Sequence, residues 1–292
     1  MKYILAQPAI LRFQWELDVV LTNIRSLDKT TPIVLLFSEH DMGVVEYFKG
    51  RYPHLEIHAY SDDREVKSYP PTIRPYLMWR YLSEDPDREL ETYFQIDSDI
   101  IFRELPDWEA IDIQDRECVA SDCGGYIDYQ YLITRKQGDY IVRRFAETLN
   151  IGVDVIEKTP GGGAQWLISQ PTAQLWWHTW QDCDILYRFL EPLDSDIQKW
   201  TAEMWAQLYN LPKFGYAVRT HPELDFCRPT DNIKMWDVTK ILHNAGVVGE
   251  SAQSLFFKGA YDAKTPFGED FSWVRRDKAG LKYVEAIQKV IL

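Results

Sequence analysis

Four short apolar runs, Tyr3 to Ala6, Pro32 to Phe37, Leu55 to Tyr60 and Tyr93 to Ile96, alternate with stretches of helical periodicity over the first hundred residues. That alternation constrains the fold more than any other feature. Short apolar runs bounded by turn residues read as buried strands, and the intervening segments place apolar side chains at helical spacing: Trp15, Leu17, Val20 and Ile24, then Val44 to Phe48, then Arg74 to Leu82 after Pro70-Pro71. Strand and helix in strict alternation predict an α/β fold, a mostly parallel central sheet flanked by helices in a Rossmann-like manner. Ligands of such sheets sit beyond the carboxyl ends of the strands.

The fourth run ends in Asp97-Ser98-Asp99 and is followed by Ile100-Ile101-Phe102. In extended chain, side chains two apart point to the same side, so both carboxylates can reach one cation. Two acids inside an apolar strand repel each other and resist burial unless a positive charge stands between them, and hard divalent ions take carboxylate and water ligands. His243 lies between the apolar run Lys240-Ile241-Leu242 and the small-residue stretch Asn244-Ala245-Gly246, and is the candidate third ligand. An imidazole beside two carboxylates suits manganese better than calcium. Lys258 precedes Gly259, a pairing that sets an ammonium where backbone can approach a phosphate closely. Lys67 and Arg74 flank the start of the helix before the acidic strand, where either can grip a diphosphate.

Beyond Asp99 the rhythm loosens. Glu117 to Ser121 reads as a strand, Gln137 to Leu149 as a helix, and Gly161-Gly162-Gly163-Ala164-Gln165 as a loop opening the apolar segment Trp166 to Ile168. Two helical stretches follow, Gln170 to Leu190 and Ser195 to Tyr209, then short strands and loops from Phe214 onward. Neither an internal repeat nor a low-complexity linker divides the chain, so residues 1–292 are expected to form one domain, with 1–116 and 117–292 as its two halves.

The formal net charge of −13 opposes non-specific binding to nucleic acid or anionic membranes. The sequence lacks 18 consecutive apolar residues, and its first apolar run is too short for a signal peptide, so a cytoplasmic protein without membrane insertion is expected. Cys118, Cys123, Cys183 and Cys227 form no C-x-x-C pair and read as reduced structural thiols. The 11 Trp and 17 Tyr exceed what a core of this size needs, and such rings also stack on bases and sugars.

No glycine-rich phosphate loop is present, so a nucleotide diphosphate would depend on a cation for charge neutralisation. The order of features resembles the GT-A fold of nucleotide-sugar-dependent glycosyltransferases, closest to the glycogenin-like retaining branch: alternating strands, the D-x-D of Asp97 and Asp99, the glycine-rich Gly161 to Gln165, then His243 and Lys258-Gly259. The chain departs from that branch after His243, since Lys258 lies well beyond it and no proline follows Gly259. The resemblance implies manganese or magnesium on Asp97, Asp99 and His243, and a nucleotide-sugar donor, taken as a UDP-sugar, held by Gln7, Pro8, Ser38, Asp62, Lys67, Arg74, Ser98, Lys258 and Gly259. It places Gly162, Gly163, Ala164 and Gln165 near the sugar and a hydroxyl-bearing acceptor. Glu203, flanked by Trp200 and Trp205, is the preferred acid/base candidate, with Asp182 and Asp184 second. A two-metal nucleotidyltransferase, a sugar-phosphate transferase and a non-catalytic sugar-binding protein are the competing classes.

Overall fold

A computed structural model describes residues 1–291. Its strands are β1 (Lys2–Pro8), β2 (Ile33–Ser38), β3 (Glu56–Tyr60), β4 (Thr92–Gln95), β5 (Ile100–Phe102), β6 (Glu117–Asp122), β7 (Gly162–Ser169), β8 (Ala217–Thr220), β9 (Phe226–Cys227) and β10 (Ile241–His243). The helices are α1 (Leu11–Leu27), α2 (Met42–Arg51), α3 (Ile73–Glu84), α4 (Trp108–Ile111), α5 (Tyr129–Thr134), α6 (Gly138–Leu149), α7 (Val153–Lys158), α8 (Ala173–Leu190), α9 (Ala202–Lys213), α10 (Lys234–Val238) and α11 (Gly280–Ile287).

Seven strands make the central sheet in the order β3-β2-β1-β4-β7-β6-β8, and three make a small second sheet, β5-β10-β9. Strands β1 to β4 are parallel, as the expected α/β architecture requires; β7 runs antiparallel to both β4 and β6. Side chains of β1 alternate across the sheet. Ile4 and Ala6 join the core beneath α3, α6, α8 and α9, while Tyr3 and Leu5 join the core beneath α1 and α2. A third core gathers Trp15, Ile101, Leu242, Phe256 and Tyr283, and seals the small sheet against α1 and α11.

The parallel register lines up Pro8, Ser38 and Tyr60 at neighbouring carboxyl ends, one strand over from the end of β4. Local signals set several boundaries here. Pro70-Pro71 opens the turn that enters α3, the Asp41 side chain caps α2 by accepting from Gly43 N–H at 2.9 Å, and Thr172 caps α8 by accepting from Leu175 N–H at 3.1 Å.

One boundary corrects the sequence reading. Gly162 to Gln165 lie inside strand β7 and not in a loop. The glycines suggested irregular backbone, but each is there because protein occupies the space: a Cβ on Gly162 would lie 2.9 Å from the Ala120 Cβ, and one on Gly163 would lie 2.3 Å from the Met204 Cε. The irregularity is confined to a register shift opposite Ala120 and Ser121, with Ala164 at φ +59°. All four cysteines are buried free thiols. None of the described helices is long and apolar enough to cross a membrane.

Candidate functional site

The antiparallel pairing of β5 with β10 builds the centre of the site. Its register sets His243 opposite Ile100, the residue after Asp99, and the Asn244 N–H donates to the Asp99 carbonyl at 2.8 Å. A histidine 144 positions away in sequence is thereby delivered to the acids. His243 Nε2 stands 3.4 Å from an Asp97 oxygen and 3.3 Å from an Asp99 oxygen. One donor atom from each of the three lies within 4.8 Å of the other two. Two carboxylate oxygens and an imidazole nitrogen converging in this way fit a manganese or magnesium ion by donor chemistry.

Cations of the protein itself complete the cluster. The Lys258 ammonium pairs with Asp99, and the Arg74 guanidinium spans Asp97 and Glu203, reaching the Glu203 Oε2 at 2.6 Å. Lys258 is carried on a short turn anchored by buried Phe256, and Phe257 packs over Gly259 closely enough that a Cβ there would meet its ring at 2.5 Å. Arg74 occupies the first turn of α3, where the helix dipole disfavours a cation; the two carboxylates offset that.

Charge and burial set the protonation of each group. Burial opposes ionisation of Asp97, but Arg74 and His243 outweigh it and hold the carboxyl down at about 2. Asp99 is nearly fully buried, and Lys258 and His243 drive its carboxyl further below the usual range. Burial likewise works against a charged His243, yet the two aspartates raise its imidazole to about 9. Ligation takes the neutral imidazole, so an incoming metal would displace that proton. Burial pushes the Glu203 carboxyl up, and Arg74 pulls it part of the way back.

Ser98 donates to Glu16 Oε2 at 2.5 Å, and Glu16 also receives Arg12 Nε at 3.0 Å. This fully enclosed carboxylate braces the turn between the two aspartates. Neither Glu16 nor Arg12 was singled out from the sequence, because nothing in local pattern distinguishes them from other polar helix positions. Tyr69 is a third such residue: buried, its hydroxyl accepts the Glu203 N–H at 3.2 Å.

The other candidates have their own surroundings. Gln7 is buried at the end of β1, and its side-chain N–H₂ finds no partner in the protein. Pro8 and Ser38 are adjacent across β1 and β2, with the Ser38 hydroxyl 3.3 Å from His40 Nδ1. The Asp62 carboxylate is taken up by Arg64 at 2.8 and 2.9 Å, and Lys67 donates to the Asp62 carbonyl at 2.7 Å, so Lys67 sits on Asp62 and not on the acidic pair. Gln165 is enclosed in β7, accepting from the Ser121 hydroxyl at 2.5 Å. Asp182 faces the α8–α9 interface, where it accepts from Asn210 at 2.9 Å and lies 3.6 Å from Lys213. Asp184 pairs with Arg188, one turn along the same helix, at 2.9 Å.

No family model and no curated protein matches the sequence. Solved structures do match the fold. The WbbM bifunctional glycosyltransferase superposes over 99% of this chain with a TM-score of 0.51 at 12% identity. The galactosyltransferase LgtC, solved with donor and acceptor sugar analogues, superposes over 100% of this chain with a TM-score of 0.50 at 10% identity. The fold is that of the GT-A glycosyltransferases. The chain spans half the length of WbbM and 97% of LgtC. Within this GT-A fold the acid pair terminates β4, beyond the carboxyl ends of the parallel strands, where an open α/β sheet binds its ligands.

Proposed function

We propose that this protein is a metal-dependent glycosyltransferase, moving a sugar from a UDP-sugar to an acceptor hydroxyl with retention of configuration. One observation carries the reading: Asp97, Asp99 and His243 converge at the end of β4 with Lys258 and Arg74 against the two acids. The GT-A fold supports it. A manganese or magnesium ion held by those three residues would supply charge neutralisation for the diphosphate.

The remaining work falls to side chains of this chain. The ammonium of Lys258, paired with Asp99, would stabilise the charge of the departing phosphate, a contribution that grows as the bond breaks. Gln7, with a buried amide donor free of protein partners, suits a carbonyl of the base. Its neighbours at the ends of β1 and β2, Pro8 and Ser38, would bound the nucleoside. On the retaining path the acceptor oxygen bonds to the anomeric carbon as the bond to phosphate breaks, and the acceptor proton passes to the departing phosphate oxygen. Glu203, fixed by Arg74 and Tyr69, orients the hydroxyls taking part.

The test is release of nucleoside diphosphate from a panel of nucleotide sugars, with manganese and with EDTA. Asp99→Ala should lower manganese-dependent turnover by about a thousandfold or more with the fold intact. Turnover that persists in EDTA would refute the mechanism. Pyrophosphate release would identify a nucleotidyltransferase, and saccharide binding without turnover a carbohydrate-binding protein. The linkage of the product reads stereochemistry; an inverted anomer would overturn retention and make Glu203 the candidate base.

A further inference from the structure

The chain between His243 and Lys258 holds only one short turn, Gly249–Gln253, so connection along the backbone does not fix where Lys258 stands relative to the aspartates. Contacts from α1 do. Arg12, Trp15 and Glu16 share one face of that helix, three and four positions apart.

Trp15 is the hub of this face. Its ring N–H donates to the Tyr261 carbonyl at 3.0 Å, and its ring meets that of Phe256 at 5.9 Å and 89° and that of Tyr261 at 6.3 Å and 74°. Phe256 and Tyr261 bracket Lys258 in the chain, so a single indole holds both sides of the turn that carries the ammonium. Arg12 reaches Asp262, just past that turn, at 3.3 Å, and donates to Glu16 Oε1 at 3.0 Å. Glu16, only 1% exposed, accepts the Ser98 hydroxyl on its other oxygen at 2.5 Å.

One stretch of helix therefore grips the acidic turn at Ser98 and the Lys258 turn at Tyr261. The two grips are about one helical turn apart, ~5.4 Å, and a helix holds such a spacing more strictly than a loop does. A buried carboxylate adds little net stability, and an apolar side chain of similar volume would serve the core as well. What Glu16 adds is a fixed acceptor for Ser98.

We propose that Glu16 is a positioning residue of the reaction, and that with Trp15 it holds the aspartate turn and the Lys258 turn at one spacing, so that Asp99 and Lys258 address the same diphosphate. The inference rests on the transferase reading above and deepens it by assigning two residues that act on the site through Ser98 and through the Lys258 turn.

The experiment uses the full chain. Electron paramagnetic resonance of the free ion reads manganese affinity, calorimetry at saturating manganese reads UDP affinity, and thermal melting checks that each variant is folded. Glu16→Met removes the acceptor and should weaken manganese binding about tenfold or more; Arg12 keeps Asp262 and access to solvent, so the variant should fold. Glu16→Gln keeps an oxygen for Ser98 but no charge, and should retain most of the affinity. Trp15→Phe keeps an aromatic ring without the N–H, and should weaken UDP binding about threefold to tenfold with manganese affinity unchanged. Asp18 is the control, a carboxylate of the same helix that is equally buried but taken up by Tyr47, Tyr52 and Arg51. Asp18→Asn should lower the melting temperature and leave both affinities as in the wild type.

Equal losses in Glu16→Met and Glu16→Gln would make the charge responsible in place of the bond and overturn the positioning role. Wild-type manganese affinity in folded Glu16→Met, wild-type UDP affinity in folded Trp15→Phe, or a manganese loss in Asp18→Asn as large as that in Glu16→Met would overturn it too. In each of these cases the wild type still binds UDP, and the transferase reading stands. A wild type that fails to bind UDP refutes the transferase reading and the proposal together.

Discussion

The bridge from Arg74 to Glu203 joins the start of α3 to α9, and its strength can be worked from the geometry. Arg74 Nη2 lies 2.6 Å from Glu203 Oε2. With charge centres ~4 Å apart, two unit charges attract by about 4 kcal/mol at an effective dielectric of about 20. The Glu203 side chain is only 4% exposed but Arg74 is 28% exposed, so solvent removes part of this and a coupling of about 2–3 kcal/mol remains. The two carboxylates on Arg74 are not equivalent. Asp97 keeps His243 at 3.4 Å, whereas Glu203 makes no other salt bridge among the described residues. Arg74→Met therefore strands the Glu203 charge and should destabilise by about 3 kcal/mol, in line with removal of one member of a buried pair. Glu203→Gln should cost less, because Arg74 retains Asp97 and access to solvent. The double variant should lose about 2–3 kcal/mol less than the sum of the singles. Urea unfolding of the four metal-free proteins measures this, with an unchanged m value as the check that one transition is compared. A coupling below about 0.5 kcal/mol would refute the reasoning, since distant independent sites already show that much.

Three further outcomes follow from the same structure. His243→Ala should weaken manganese binding about tenfold to a hundredfold, read by electron paramagnetic resonance of the free ion on a variant that circular dichroism shows to be folded; a folded variant with wild-type manganese affinity would make the histidine structural. Glu203→Gln should lower turnover about a hundredfold while UDP affinity is unchanged, and a parallel loss of UDP affinity would move Glu203 to the donor site. Away from the site, hydrogen bonds from His58 and Tyr81, helped by Lys2 and opposed by burial, hold the Glu56 carboxyl down at about 2. A depressed carboxylate stabilises the fold at neutral pH, and that contribution is lost as pH falls from its ordinary value of 4.5 to about 2. Melting curves between pH 7 and pH 3 should show a shallower acid loss in Glu56→Gln; identical slopes would contradict the linkage.

Local sequence determines a good deal of this protein. Apolar periodicity is a property of neighbouring residues, so the four parallel strands, their helices and the α/β class can be read directly from it. The position of Asp97 and Asp99 just after the fourth strand follows in the same way, but a turn at Ser98 and Asp99, and not alternation along an extended strand, brings the two carboxylates together. Chemistry of residue type made His243 and Lys258 candidates for the same cation and phosphate. What brings them there is tertiary: the β5–β10 register delivers His243, and the anchoring of Phe256 delivers Lys258, and a strand partner 143 positions away leaves no trace in local pattern. The environment of a charge is equally invisible from sequence. Glu16 and Glu203 carry the same side chain as any solvated helix glutamate, and only packing encloses one beneath Ser98 and the other against Arg74. Packing also turns Asp182 toward Asn210 and Lys213, and fills the space beside Gly162 and Gly163 with Ala120 and Met204. The physical reason is the same in each case: the free energy of a buried charge or a missing side chain depends on neighbours distant in the chain, and those neighbours are set only when the sheets and helices close on one another.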